Sequence, residues 1–202
     1  QPACDPGAPG AHRATTICIV LPNWIGDVIM ATPTLRAISE HFGDSTNVIG
    51  VMRPYVAQVL DGTPWIRTRI FHDPYSRDPQ LHSLAVVREL RRSSIDTVVL
   101  LTNSLRTGAI AWLSGARRRI GYRRYGRGLL LTHGLKPRRT GRIFTPVSAV
   151  DYYLGLATRL GCAIKSKQLE LTSTPNGESQ ADEIWRRLKW GDSRNVVVLC
   201  PA

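Results

Sequence analysis

The fold is decided by residues 17–38, which read ICIVLPNWIGDVIMATPTLRAI. The apolar run at the start of this stretch predicts a buried strand, and a helical pattern follows it after a short loop. Open α/β sheets bind their ligands where such a loop leaves the carboxyl end of a strand. The loop holds Trp24, Gly26 and Asp27. A ligand site here would therefore combine an aromatic ring, a glycine and a carboxylate.

Strand-like and helix-like segments alternate along the rest of the chain. The predicted strands lie at 47–52, 65–71, 96–101, 168–171 and 196–200, and the main predicted helices lie at 27–42, 54–60, 80–92, 147–160 and 178–190. This βαβα alternation predicts an α/β fold with a Rossmann-like, doubly wound, mostly parallel sheet and helices on both faces.

Composition divides the chain into three regions. Residues 1–14 are rich in Pro, Gly and Ala and are predicted to be a disordered lead-in. Residues 15–172 form the predicted Rossmann-like domain, and residues 173–202 are predicted to hold a linker helix and the first strand of a second domain. Because the sequence opens on Gln1 and stops directly after a predicted parallel strand, we expect it to be a piece of a longer protein.

Positive charge is concentrated in one segment. The net charge is +12, and residues 97–150 contain ten Arg and one Lys but neither Asp nor Glu. Short apolar pieces and turn residues predict brief strands and loops there. The chain has 23 Arg and 4 Lys, and the planar guanidinium suits phosphates and carboxylates. The composition therefore indicates an anionic partner.

Cysteine and histidine positions give no sign of a metal site. Cys18 and Cys200 fall within apolar strands and are predicted to be small core residues of a reduced, cytoplasmic protein. The histidines at 72, 82 and 133 lack the spacing of metal ligands and are predicted to lie at the surface. No apolar run approaches the ~20 residues that span a bilayer.

The first loop does not resemble a nucleotide site, and its acid has two interpretations. A dinucleotide fingerprint needs three glycines, but only Gly26 is present, and no P-loop motif occurs. Asp27 at a helix entrance can be a cap worth ~1 kcal/mol, or it can be a catalytic carboxylate. The helix dipole weakens a carboxylate as a base, so a base here needs compensating desolvation, for which Trp24, Ile25 and Val28 are candidates. The residues alone leave both interpretations open.

Several motifs resemble glycosyltransferase family nine, which includes the ADP-heptose:lipopolysaccharide heptosyltransferases. The run PNWIGDVIMATP at residues 22–33 resembles the family's amino-terminal signature and looks like that of the inner-core heptosyltransferases of type II. Further motifs follow in the family's order from about residue 16 to the end: LTNSLR at 101–106, AWLSG at 111–115, RIGYR at 119–123, GLLLT at 128–132 and VDYYL at 150–154.

The resemblance implies a GT-B enzyme with two Rossmann-like domains, of which this chain is the amino-terminal, acceptor-binding half. It implies that Asp27 is the base that deprotonates the acceptor hydroxyl, which then displaces ADP from ADP-heptose with inversion. Neither a metal nor a cofactor is expected. The donor site would lie beyond residue 202, so this piece should be inactive alone.

We expect the acceptor site to lie at the ends of the central strands. The residues following the strand at 96–101 should reach the same cleft as Asp27, although Ser104 is equally suited to cap a helix. Arginines of the basic segment should contact acceptor phosphates and the carboxylates of Kdo sugars. The predicted acceptor residues are Trp24, Gly26, Asn103, Ser104, Arg106, Arg123, Arg124 and Arg127.

The expected partner is an anionic lipopolysaccharide precursor, Kdo-lipid A, at the cytoplasmic surface of the inner membrane. The basic segment would support peripheral contact with that surface. One alternative is a family-nine transferase with another nucleotide-sugar donor. A second is an RNA-binding domain, because GYRRYGRG at 121–128 interleaves Arg, Gly and aromatic residues; we do not expect nucleic acid to be the partner. The sequence does not predict an oligomeric state.

Overall fold

A six-stranded parallel sheet forms the centre of the protein, with the strand order β3-β2-β1-β4-β5-β6. The computed structural model describes residues 16–141, 143–188, 197 and 199. The strands are β1 (Thr16–Val20), β2 (Asn47–Met52), β3 (Thr68–Phe71), β4 (Thr97–Leu100), β5 (Arg118–Tyr122) and β6 (His133–Leu135). Because β1 pairs with both β2 and β4, the winding direction reverses between β1 and β4, which is where such sheets bind ligands.

Helices cover both faces of the sheet. They are α1 (Ile25–Phe42), α2 (Ser83–Arg92), α3 (Leu105–Leu113) and α4 (Ala149–Leu160), and a further helix α5 is Pro175–Arg187. Short 3-10 segments lie at Pro54–Leu60, Pro79–Leu81 and Arg127–Leu130. After β6, a small antiparallel hairpin pairs β7 (Arg139–Thr140) with β8 (Ile143–Phe144).

The continuous apolar run of β1 is buried on both sides because its side chains alternate between two cores. Ile17 and Ile19 face α1 and α4, while Cys18 and Val20 face α2 and α3. Burial of each such aliphatic side chain is worth about 1.5–3 kcal/mol. Burial also raises the pKa of the Cys18 thiol to about 12, so this cysteine is an inert core residue, as predicted.

The predicted α/β fold with a parallel, doubly wound sheet is confirmed, while several element boundaries differ. The third strand begins at Thr68 instead of residue 65, and α2 begins at Ser83 because Asp78 and Pro79 form a separate 3-10 turn before it. No strand forms at 168–171; Arg36 instead holds this segment through the Gln168 carbonyl and the Glu170 carboxylate. The predicted strand at 196–200, including Cys200, lies outside the described residues except for positions 197 and 199.

The chain divides into two compact units between Leu171 and Thr172. The first contains the whole sheet. In the second, α5 begins where the Thr174 hydroxyl accepts a hydrogen bond from the Gly177 N–H at 3.1 Å. The division lies one residue from the predicted boundary; the roles assigned to the two regions remain predictions.

Candidate active site

Asp27 lies in the first turn of α1, directly beyond the carboxyl end of β1. The N-cap residue is Trp24, and the Asp27 carboxylate accepts no hydrogen bond from a backbone N–H of the described residues, so it is not the cap. One of its oxygens, Oδ1, accepts a hydrogen bond from the Tyr153 hydroxyl at 3.2 Å. The other oxygen has no partner among the described residues.

Tyr153 holds the carboxylate as a permanent hydrogen-bond donor. The ring is buried in the core between α1 and α4. Burial, together with the nearby Asp27 carboxylate, raises the pKa of the Tyr153 hydroxyl well above its usual value, so the group stays protonated at neutral pH. A protonated phenol fixes one carboxylate oxygen and leaves the other for chemistry.

Two of the three residues named as candidates for shielding Asp27 from water are largely exposed in this domain. Trp24 is 73% exposed and Ile25 is 47% exposed, whereas Val28 points into the core. Gly26 is also exposed, and a Cβ placed there would meet no atom within 4 Å. The space over this turn is therefore open within the domain, and a ligand can approach the backbone and the carboxylate closely.

Asn103 lies across the switch point from Asp27, in the loop after β4. Its Oδ1 accepts a hydrogen bond from the Tyr152 hydroxyl at 3.0 Å. Because Tyr152 and Tyr153 are consecutive residues of α4, one helix contacts both Asn103 and Asp27. The structure thus links these two predicted site residues through a tyrosine pair to which the sequence assigned no role.

Arg127 is not a surface residue, which corrects the prediction that it contacts the acceptor. Its side chain is completely buried. The guanidinium donates to the Tyr122 carbonyl at 2.9 Å, to the Thr102 carbonyl at 2.5 Å and to Asn103 Oδ1 at 3.0 Å. It therefore joins the ends of β4 and β5, and its complete burial keeps it from contacting a ligand.

Ser104 and Arg106 do not face Asp27. The Ser104 hydroxyl accepts a hydrogen bond from the Thr107 N–H at 3.1 Å, which confirms its interpretation as the cap of α3. The Arg106 guanidinium lies 5.2 Å from the centre of the Tyr75 ring, and Arg53 lies 5.8 Å from the same ring. Both guanidinium groups therefore lie beside the loop that follows β3.

A large groove opens on the other side of Asn103. Its volume is about 1100 Å³, and it lies between α4, β6 and the β7–β8 hairpin. Stacked Tyr122 and Tyr152 rings, 3.8 Å apart, contribute to its wall. Asp27 does not line this groove, but its hydrogen-bond partner Tyr153 does. The cationic residues that line the groove are Arg124, Lys136, Arg138 and Lys167.

Of the two neighbouring arginines Arg123 and Arg124, only Arg124 lines the groove. It is half-buried, lies 4.5 Å from the Phe144 ring centre, and sits beside the Tyr152 hydroxyl. Arg123 instead lies along the backbone of β6, where a Cβ on Gly134 would come within 2.5 Å of its Nε. Sequence reasoning missed Lys136, Arg138 and Phe144 as groove residues because nothing in the local pattern shows where a hairpin folds back.

His72 is buried, not at the surface as predicted. It is 8% exposed, and its Nε2 lies 3.1 Å from the Ser83 hydroxyl. Burial, followed by the charges of Arg53 and Arg106, lowers the pKa of His72 to about 4. Asp73 opposes this shift, and His82 adds to it.

The depressed pKa of His72 predicts acid sensitivity of the fold. The unfolded chain binds the proton near pH 6.5 but the folded chain only near pH 4, so stability falls as pH drops through this window. The loss is on the order of 2 kcal/mol. Urea unfolding at pH 7 and pH 4 measures it, with His72→Gln as the control that keeps a partner for Ser83. We expect the variant to lose less stability than the wild type; equal losses would contradict the assignment.

Among the described residues, no group of three or more His, Cys, Asp or Glu side chains is placed to hold a metal ion. In the same part of the chain, no helix combines the length and apolar character needed to cross a membrane.

Solved structures with the same fold are glycosyltransferases. A glycosyl transferase family 9 protein from Veillonella parvula DSM 2008 matches with a TM-score of 0.71 at 21% identity, covering 88% of this chain and 51% of that one. E. coli ADP-heptose LPS heptosyltransferase II matches with a TM-score of 0.62 at 17% identity, covering 88% and 52%. E. coli heptosyltransferase WaaC, solved with ADP-2-deoxy-2-fluoro heptose, matches with a TM-score of 0.61 at 16% identity, covering 77% and 51%.

These matches show a shared fold. No protein-family model matches the sequence, and no curated protein matches it significantly. The chain spans about half the length of these solved structures. The predicted fold class is confirmed, and the expected resemblance to family nine is confirmed at the level of structure.

Proposed function

We propose that this chain is the acceptor-binding domain of a family-nine glycosyltransferase that transfers heptose from ADP-heptose to the inner core of lipopolysaccharide. The observation that carries the proposal is the Asp27 carboxylate, which has a hydrogen-bond partner on only one oxygen among the described residues. One oxygen is held by Tyr153 and the other is free, at an open turn beside the switch point of a fold shared with heptosyltransferases.

The proposed chemistry makes use of that geometry. Asp27 takes the proton of an acceptor hydroxyl, the oxygen forms a bond to the anomeric carbon, and the bond to ADP breaks with inversion. Tyr153 keeps the carboxylate oriented, while the exposed Trp24 and Gly26 border the path of the acceptor. The mechanism uses neither a metal nor a cofactor. We assign the ADP site to the half of such enzymes that this chain does not span.

The charge of the groove next to Asn103 is complementary to the anionic groups of the proposed acceptor. Its cationic lining suits the phosphates and the Kdo carboxylates of a lipid A precursor. Asp151 is the one acidic residue of the lining, and it forms an ion pair with Lys167 at 2.7 Å. The groove therefore attracts anions more than cations.

Peripheral contact with the cytoplasmic surface of the inner membrane is proposed for the rim beside the hairpin. Tyr125 and Leu129 are strongly exposed and line an 800 Å³ depression together with Arg124, Arg139 and Phe144. Exposed apolar side chains interleaved with arginines suit an anionic bilayer surface.

Removal of one rim arginine should weaken binding to anionic vesicles. Arg139→Ala is expected to lower affinity for phosphatidylglycerol-rich vesicles roughly fivefold, since each basic residue near the surface is worth about 1 kcal/mol. Co-sedimentation measures this. Arg92→Ala, at the opposite end of the sheet from the rim, makes the same charge change and should have a smaller effect. Equal effects of both variants would show that only net charge matters.

The decisive test of the function is a transfer assay on the full-length enzyme. ADP-heptose and a Kdo-containing lipid acceptor should give a heptosylated product, whereas transfer from a different nucleotide sugar would favour the alternative donor. RNA affinity that falls steeply with salt, with no sugar transfer, would support the nucleic-acid alternative instead.

A further inference from the structure

The orientation of the Asn103 amide is fixed by two donors. Arg127 Nη2 and the Tyr152 hydroxyl both donate to its Oδ1, each at 3.0 Å. An arginine N–H has no lone pair and cannot bond to an amide NH₂, so the oxygen must face Arg127. The Asn103 NH₂ therefore points away from these contacts. It has no partner in the described part of the chain, and Asn103 lines the 1100 Å³ groove.

Arg127 also gives this corner a positive potential, and no carboxylate in the described part of the chain accepts a hydrogen bond from it. All three groups that accept its hydrogen bonds are neutral: two carbonyls and the Asn103 amide oxygen. Burial lowers its pKa only to about 10, so the guanidinium is charged at neutral pH. Arg124, at the groove wall, adds a second cation beside Tyr152.

We propose that Arg127 is a positioning residue for an oxyanion subsite: it holds the Asn103 NH₂ toward the groove, where that group donates to a carboxylate or phosphate oxygen of the acceptor. The subsite rests on the proposed function for the identity of the acceptor. Arg127 acts by orienting the Asn103 amide and by its positive electrostatic potential. It does not contact the ligand.

Asn103→Asp separates this role from a purely structural one. The Asp carboxylate can still accept from Arg127 and Tyr152 and gives the buried guanidinium a counter-charge, so the melting temperature should not fall. The outward NH₂ donor becomes an oxygen that repels anions. Affinity for free Kdo should fall at least roughly tenfold, since a hydrogen bond to a charged group is worth about 1.5–3 kcal/mol.

Two further variants complete the design. Asn23→Asp places the same charge in the loop after β1, where Asn23 contributes only its backbone carbonyl to the Tyr55 hydroxyl; it should change affinity far less.

Arg127→Lys keeps the charge but cannot span three acceptors, so Kdo affinity should fall although circular dichroism shows a folded protein. Titrations with Kdo and with inorganic phosphate distinguish a carboxylate from a phosphate ligand.

The spectroscopic signature is the Asn103 side-chain amide. Its NH₂ resonances in ¹⁵N-labelled protein should shift on Kdo or phosphate addition. Absent shifts, or an Asn103→Asp affinity within about twofold of wild type, would overturn the subsite. So would equal weakening by Asn23→Asp. These binding results do not depend on catalysis: failed heptose transfer with selective weakening by Asn103→Asp would reject the proposed function and keep the subsite.

Discussion

Asp27→Asn is expected to lower the turnover rate of the full-length enzyme by roughly a hundredfold or more, the usual cost of removing a general base. The amide has nearly the same shape and can still accept from Tyr153, but it cannot take a proton. Because the side chain lies in an open turn, the substitution should leave the fold intact. Steady-state transfer kinetics and thermal melting of the same preparations test both statements.

The matched control for this variant is Asp44→Asn. Asp44 is a fully exposed carboxylate whose ion pair with Arg67 lies away from the loop after β1. Its removal makes the same charge change and should leave turnover unchanged. If Asp27→Asn retains turnover within about threefold of wild type, the assignment of Asp27 as the base is wrong.

Arg127→Met is expected to destabilise the fold by about 3 kcal/mol, because it removes three buried hydrogen bonds and leaves one acceptor unpaired, which alone costs about 1–3 kcal/mol. Only the Thr102 carbonyl is left unpaired, because the Tyr122 carbonyl still accepts from the Arg124 N–H and Asn103 Oδ1 still accepts from the Tyr152 hydroxyl. Relief from burying a cation offsets part of the sum. The corresponding drop in melting temperature is roughly 6–12 °C for a domain of this size.

Urea denaturation of Arg127→Met and Arg123→Met measures this difference. Arg123 has the same side chain four residues earlier but is exposed, so its substitution should change stability by no more than about 0.5 kcal/mol. Similar values for the two variants would show that Arg127 contributes no more than a surface arginine.

The topology could be predicted from sequence because burial on two faces leaves a clear pattern. In β1, every residue from Ile17 to Val20 is apolar and buried, as a strand covered by helices on both sides requires. Helix starts were less predictable. The α2 boundary depended on the choice between a turn and a helix at Pro79, which local propensity does not decide.

The candidate site could be predicted only in part because its contacts are distant in sequence. Asp27 stood out as an acid in a strand–loop–helix unit, but its partner Tyr153 is 126 residues away. Arg127 lies in a run of arginines, and composition does not reveal that one of them is fully buried while Arg123 is exposed. Their different roles depend on which residues follow which strand.

The consecutive residues Tyr152 and Tyr153 also bear on regioselectivity. Their hydroxyls contact Asn103 and Asp27, so a single helix sets the separation between the proposed oxyanion donor and the proposed base. Loop motion alone would not alter this separation while both tyrosines stay in place. An acceptor bound through its anionic group would then present to Asp27 only the hydroxyl that lies at the matching distance, and neighbouring hydroxyls of the same sugar would remain unmodified.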